Sequence, residues 1–202
     1  MKFRKSTALI LSGVLLLLGA AGFAVYNNAD SDRAGKSAAS SAAVIAEGLP
    51  TKPAAETTPQ NINHDVFVPE METKEIDGAL YIGIIEIPAL ELTLPVRESW
   101  SYDALKLSPC RYSGSYYTND LVICAHNYAS HFNGLRTIAM GEDVYFTTVG
   151  GKTYHYVITN RETLNPDEAE RMSTPDGWDL TLFTCYIGGA TRCTIRCSLA
   201  EN

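Results

Sequence analysis

Hydrophobic and polar positions divide this chain into three unlike stretches. The first is an apolar run from Thr7 to Val25 that contains no charge and follows Lys2, Arg4 and Lys5. As a helix rising about 1.5 Å per residue it would span roughly 28 Å, close to the thickness of a bilayer's hydrocarbon core. Basic residues on its short flank favour that flank staying in the cytoplasm. Two readings compete: an uncleaved signal anchor, or a cleavable signal peptide using the small residues Ala20-Ala21-Gly22-Phe23-Ala24. The run is long for the apolar segment of a signal peptide, which favours the anchor. Either way the rest of the chain is expected outside the cytoplasm.

The second stretch, residues 27–73, is rich in Ala, Ser, Thr, Asn and Pro and poor in large apolar residues. Such a composition buries too little apolar surface to offset chain entropy, so it predicts a flexible stalk holding a domain off the membrane. The third stretch, residues 74–202, changes to short β-branched and aromatic runs punctuated by Gly, Pro, Asn and Asp. These predict strands at Leu80–Ile87, Leu92–Val96, Leu121–Ala125, Asp143–Val149, Lys152–Glu162, Leu180–Cys185 and Arg192–Leu199, with Val149-Gly150-Gly151 as a hairpin turn. Short helical pieces fit Tyr102–Leu107, Phe132–Met140 and Pro166–Met172. The fold class expected is mostly β: a closed or nearly closed barrel of seven to eight strands with short helices, after a transmembrane helix and stalk. No internal repeat is visible.

Charge and cysteine usage narrow the function. A formal charge of −7, with no basic stripe interleaved with aromatics, argues against nucleic-acid binding. The five cysteines are an odd number with no C-x-x-C pair, which removes the usual zinc and thioredoxin readings and leaves at least one thiol free in a monomer. Alternation along the last strand puts Arg192, Thr194 and Arg196 on one face and Cys193, Ile195, Cys197 and Leu199 on the other, the core face. Cys193 and Cys197 would lie about 13 Å apart, beyond disulfide reach. Cys124, sharing a face with Val122, and Cys110, after Pro109, also read as core.

Cys185 differs. It ends the run Thr181-Leu182-Phe183-Thr184-Cys185, precedes a Gly188-Gly189 turn, and has Arg192 opening the next strand. A guanidinium beside a thiol favours the nucleophilic thiolate. His126 ends another strand and precedes Asn127-Tyr128, a loop edge of the kind that collects catalytic groups. His64 falls in the stalk, His131 begins a short helix and His155 sits mid-strand. No H-E-x-x-H is present, so a metalloprotease is not indicated.

Ala125-His126-Asn127 with His131-Phe132 and Leu135, then Thr181-Leu182-Phe183-Thr184-Cys185, then Arg192, resemble in that order the motifs of the sortase family, the membrane-anchored cysteine transpeptidases of Gram-positive bacteria. The resemblance runs from about Leu80 to Leu199. It implies Cys185 as nucleophile, His126 as general acid/base, Arg192 as the group holding the substrate carbonyl or oxyanion, and Thr184 as a substrate contact. It implies sorting-signal-bearing exported proteins (Leu-Pro-x-Thr-Gly-like) as substrates and an amine acceptor, a cell-wall precursor or another surface protein, as partner. The location implied is the cell membrane, single-pass, with an extracytoplasmic catalytic domain. Ala125 stands where the family usually has Gly, and Arg196 rivals Arg192 on the same strand face. The short segment between Leu164 and Trp178 and the lack of an apolar C-terminal tail disfavour two of the family's types. No metal site or cofactor is expected. Some members bind calcium, and Glu142, Asp143, Asp167, Glu168 and Glu170 could raise that question, against the plainer reading of solvated loop charge. Two other classes fit the same residues: an exported cysteine hydrolase, though no Ser-His-Gly-x-x-x-Cys signature occurs, and a non-catalytic surface-binding barrel with an unreactive Cys185.

Overall fold

A computed structural model describes residues 3–49, 69–173, 176–186 and 188–200. Nine strands form one sheet: β1 Lys74–Ile76, β2 Ala79–Ile87, β3 Leu92–Arg97, β4 Cys110–Ser113, β5 Leu121–Cys124, β6 Asp143–Thr148, β7 Thr153–Leu164, β8 Leu180–Cys185 and β9 Arg192–Leu199. Their order is β1-β2-β3-β4-β5-β8-β9-β7-β6, and β6 pairs back onto β2, closing an eight-stranded barrel from which β1 extends as a hairpin arm. The expected barrel is therefore present, and the strands predicted at Leu180–Cys185 and Arg192–Leu199 have those bounds. β1 and β4 were not anticipated. Both are short, and their polar residues, Lys74, Glu75, Arg111 and Ser113, give no alternating signal.

The barrel interior takes in the face of the last strand that alternation assigned to the core: Cys193, Ile195 and Cys197 belong to one buried cluster with Ile82, Ile85, Ile87, Ile123, Leu180 and Leu182, and Leu199 packs half-buried against it. Closure depends on a close approach at Gly83, which pairs with Thr148 across the β2–β6 seam. A Cβ there would stand 2.3 Å from the Thr147 carbonyl oxygen and 2.8 Å from Phe146.

The N-terminal helix departs from expectation. α1 runs unbroken from Phe3 to Glu47, so residues 27–47, predicted to be flexible, are helical. Ala34, Ala38, Ala42 and Ile45 are buried at spacings of four, four and three, and Ile45 packs on Ile76, Tyr81 and Ile84. Alanine is the strongest helix former, and one small residue per turn lets the helix lie close on the barrel. Full burial of Ile45 contributes about 1.5–3 kcal/mol. The remainder of that stretch, residues 50–68, lies outside the described residues. From Leu9 to Val25 the large apolar side chains of α1 are exposed; the helix is long and apolar enough to cross a membrane.

The seam yields a prediction. Gly83→Ala should destabilise the domain by about 1–3 kcal/mol, the usual cost of overpacking, read as a lower urea midpoint. An unchanged midpoint would mean that the seam yields freely.

Candidate active site

The site is built at one rim of the barrel, where three neighbouring strands end or begin. β5 runs parallel to β8 with Leu121↔Leu180, Val122↔Thr181, Ile123↔Leu182 and Cys124↔Phe183 as partners. The pairing continues past the strand end: Ala125 N–H donates to the Phe183 carbonyl at 3.2 Å, and the Thr184 hydroxyl donates to the Ala125 carbonyl at 2.9 Å. Carrying this register on sets His126 level with Cys185, one strand spacing of roughly 4.8 Å away along the sheet. On the other side β8 pairs antiparallel with β9, and Cys185↔Arg192 is the last pair. Histidine, cysteine and arginine, taken from three distant parts of the chain, thus stand abreast.

The β8–β9 connection makes this row compact. Tyr186 N–H donates to the Thr191 carbonyl at 2.9 Å and Gly189 N–H to the Tyr186 carbonyl at 2.8 Å. Gly188 and Gly189 have φ of 85° and 72°, a region costly for residues with a Cβ. The Arg192 guanidinium donates from Nη1 to the Gly189 and Thr191 carbonyls, at 2.9 and 3.3 Å, leaving its other N–H groups uncommitted by these bonds.

Cys185 and Arg192 open into a cavity of about 180 Å³ whose walls include Trp100, Tyr112, Met172 and Phe183. Tyr112 meets Phe183 edge-on with ring centroids 5.2 Å apart. The cavity is thus apolar on one flank and carries the thiol and guanidinium on the other. Thr184 lines it too, but is buried and has spent its hydroxyl on Ala125. Its visible role is tying β8 to β5.

His126 is half-buried and held on two sides. Its ring stacks on Tyr128, with centroids 4.2 Å apart and planes 4° apart. Its Nδ1 lies 3.1 Å from Asn127 Oδ1, which can only accept, so Nδ1 is the donor and Nε2 is left for other work. The Tyr128 hydroxyl in turn donates to Asp30 of α1 at 2.5 Å. Asn127, Tyr128 and Asp30 were given no role in the sequence reading. Adjacency to His126 pointed towards the first two; nothing in the sequence links Asp30 to them. Ala125, where glycine is usual in the resembling family, is not among the residues with positive φ, so its methyl is no backbone problem.

The other thiols behave differently from Cys185, which alone of the five is not buried. Burial pushes the Cys110 thiol up to about 12 and raises Cys124, Cys193 and Cys197 as well. All five are free, and the four buried ones are held as neutral thiols.

Arg196 shares the strand face of Arg192, as alternation predicted, but not its setting. It is buried, pairs with Glu162 at 2.8 Å, and donates to Thr181 Oγ1, the Met172 carbonyl and the Arg171 carbonyl. Its guanidinium also sits 5.0 Å from the Trp178 ring centroid. It fastens the segment between β7 and β8, which contains a 3-10 turn, Pro166–Glu168, and a five-residue helix, Ala169–Ser173. Its partner Thr181 is four residues from Cys185, so Arg196 anchors this segment away from the rim.

Of the acidic residues that raised the calcium question, Asp143 bonds His155 at 2.7 Å, and Glu168 bonds Arg171 and the Asn165 backbone. Among the described residues no three His, Cys, Asp or Glu converge as a metal site would require.

A sequence model of the Sortase domain family matches residues 85–200. No curated protein matches. Among solved structures, sortase A from Corynebacterium diphtheriae is similar with a TM-score of 0.56 at 21% identity, over 61% of this chain and 62% of that one. Sortase C1 from Streptococcus suis gives 0.52 at 26% identity, over 60% and 74%. A sortase D5 transpeptidase from Clostridium perfringens gives 0.53 at 17%, over 60% and 79%. The chain thus spans under two thirds of the Corynebacterium protein's length.

Two predictions follow from the surroundings of the row. His131 is buried with neither ring nitrogen partnered, and burial, then the nearby His126, lowers its pKa to about 4. Above about pH 6.5 its ring is neutral in folded and unfolded chains alike. Below that the unfolded chain takes a proton that the folded one refuses until about pH 4, so stability falls across this window by on the order of 3 kcal/mol. Urea unfolding from pH 7.5 to 4.5 should show His131→Phe with a flatter decline than the parent; equal slopes would refute the assignment. Separately, Arg196→Ala should cost about 1–3 kcal/mol by leaving Thr181 Oγ1 and the Met172 and Arg171 carbonyls without their donor, while Glu162 keeps its pair with Arg171, seen as a drop in melting temperature.

Proposed function

Since this chain belongs to the sortase family, its domain matching over residues 85–200, we propose that it is a cysteine transpeptidase anchored in the membrane by α1. In this reading Lys2, Arg4 and Lys5 lie on the cytoplasmic side and the barrel outside. The observation that carries the reading is the pair Cys185↔Arg192 lining a cavity at the barrel rim, with His126 next to Ala125 where the β5–β8 register extends to it.

The chemistry is acyl transfer in two steps. The Cys185 thiolate attacks a backbone carbonyl in the sorting signal of an exported protein, and the carbonyl π electrons move to oxygen. Arg192, with an N–H to spare, donates to that oxyanion. As the tetrahedral species collapses, imidazolium His126 gives the proton on Nε2 to the departing amine, and a thioester remains on Cys185. An incoming amine then attacks the thioester, His126 takes its proton, and the thiolate leaves. The apolar flank of the cavity suits the apolar residues of a Leu-Pro-x-Thr-Gly-like signal, and the acceptor is an amine of a cell-wall precursor or of another surface protein. Thr184 contributes by holding the end of β5, and with it His126, against β8. No cofactor takes part in these steps.

The test is direct. The full chain in detergent, incubated with a panel of sorting-signal peptides, should form an acyl adduct on Cys185 detectable by mass spectrometry, equally with EDTA present. Adding an amine should convert the adduct to the transferred product. Arg192→Ala should slow turnover by about 10²–10³-fold, the usual effect of losing one oxyanion donor. Hydrolysis alone, whatever amine is supplied, would make the protein a hydrolase instead; the absence of any adduct would leave the binding-module reading.

A further inference from the structure

The helix that carries the apolar span is the same helix that packs on the barrel. Its run of exposed large apolar side chains from Leu9 ends at Val25 and Tyr26. One turn further, Asp30 accepts from the Tyr128 hydroxyl, and the carbonyl of Ser31 accepts from the Ser130 hydroxyl at 2.7 Å. Five helical residues beyond Val25 rise about 7.5 Å, while the headgroup layer is roughly 5–8 Å deep on each side of the hydrocarbon core. The loop carrying His126 is therefore held at the outer edge of the headgroups. No long tether separates it from the bilayer.

A second observation lies on the same end of the molecule. The segment after β3, which includes the short helix α2 (Tyr102–Leu105), presents Trp100, Tyr102 and Leu107 at 42%, 80% and 40% exposure. Between them Lys106 is ion-paired with Asp103 at 2.9 Å. Trp100 and Tyr102 line one cavity with Ala125, the residue before His126, whose ring stacks on the Tyr128 held by Asp30, so the exposed aromatic segment shares its rim of the barrel with that part of α1. Trp and Tyr settle at the bilayer interface because one end of each ring system is apolar and the other polar. The Lys106–Asp103 pair carries no net charge, so aromatic burial and not lipid charge would hold this face.

We infer that the face formed by Trp100, Tyr102 and Leu107 docks on the headgroup layer of the bilayer that α1 spans. Because Trp100 and Tyr102 also line the cavity at Cys185, the active site then opens at the membrane surface. The inference rests on α1 being the membrane anchor, the part of the proposed function that does not involve Cys185 chemistry.

The chain has two tryptophans, Trp100 and Trp178, which makes the test spectroscopic and independent of turnover. The full chain is reconstituted in phosphatidylcholine vesicles whose acyl chains carry bromine either near the headgroup or near the bilayer centre. Trp100 emission, taken as the difference between the parent and Trp100→Phe, should lose about half its intensity with shallow bromine and less with deep bromine, as expected for an interfacial ring. The Trp178 emission left in Trp100→Phe should barely respond. Tyr102→Asp with Leu107→Asp, both exposed positions, should abolish most of the Trp100 quenching without moving the unfolding midpoint. Quenching of Trp100 no greater than that of Trp178 would overturn the inference, as would quenching unaffected by the double variant. Failure of peptide transfer in the previous assay would leave this result untouched.

Discussion

The register of β8 against its two neighbours is the constraint on which the site depends. Parallel pairing with β5 brings the ends of both strands to one rim, and antiparallel pairing with β9 brings that strand's start to the same place. A slip of one residue would reverse the faces of β8, turning Cys185 inward and breaking the Thr184–Ala125 bond. Barrel closure opposes such a slip, because a closed sheet has no free edge on which one pairing can shift alone. The tight β2–β6 seam at Gly83 therefore supports the geometry of Cys185 from the opposite wall.

Burial then makes identical residue types do different work. Five cysteines share one side-chain chemistry, yet four are enclosed and kept protonated by the cost of putting a thiolate in an apolar setting. The two arginines of β9 divide in the same way. Arg196 is enclosed with Glu162, Thr181 and two carbonyls, so every change at that position disturbs a buried charge. Arg192 stands at the rim with two carbonyl contacts from the turn it closes. Arg192 thus keeps spare donors and a direction set by the turn, where Arg196 has its donors spent. The sequence put the two on one face; only the network around Arg196 separates them.

Much of this was legible because it is local. Seven strands and the order of His126, Cys185 and Arg192 follow from alternation, Gly-Gly turns and strand-end positions. β1 and β4 were not legible, since strands of three or four residues, two of them polar in each, pair only when a neighbour's edge is present. The helix over 27–47 was misread as a stalk for a different reason. Its buried face is made of Ala34, Ala38 and Ala42, residues whose small size looks like low complexity in composition and like close packing in three dimensions. Spacing at four residues was the available signal. The contact between Asp30 and Tyr128 spans 98 positions, and no pattern along the chain encodes it.

That contact completes the account of how His126 is held. Stacking on Tyr128 fixes the plane of the imidazole, and Asn127 fixes its rotation within that plane. Neither would suffice alone: a stacked ring can still spin, and a single hydrogen bond can still hinge. Together they set the direction of Nε2, so the entropy of ordering the ring is lost on folding. The arrangement needs Tyr128 itself to be fixed, and Asp30 supplies that by accepting its hydroxyl proton. Burial, then the Asp30 carboxylate, pushes the Tyr128 hydroxyl up to about 12. It therefore remains a donor at every pH below that, and the clamp on His126 keeps its hydrogen bond to Asp30. A single residue of α1 thereby fixes, through Tyr128, the ring at the barrel rim, and no intervening element has to move for the two to act together.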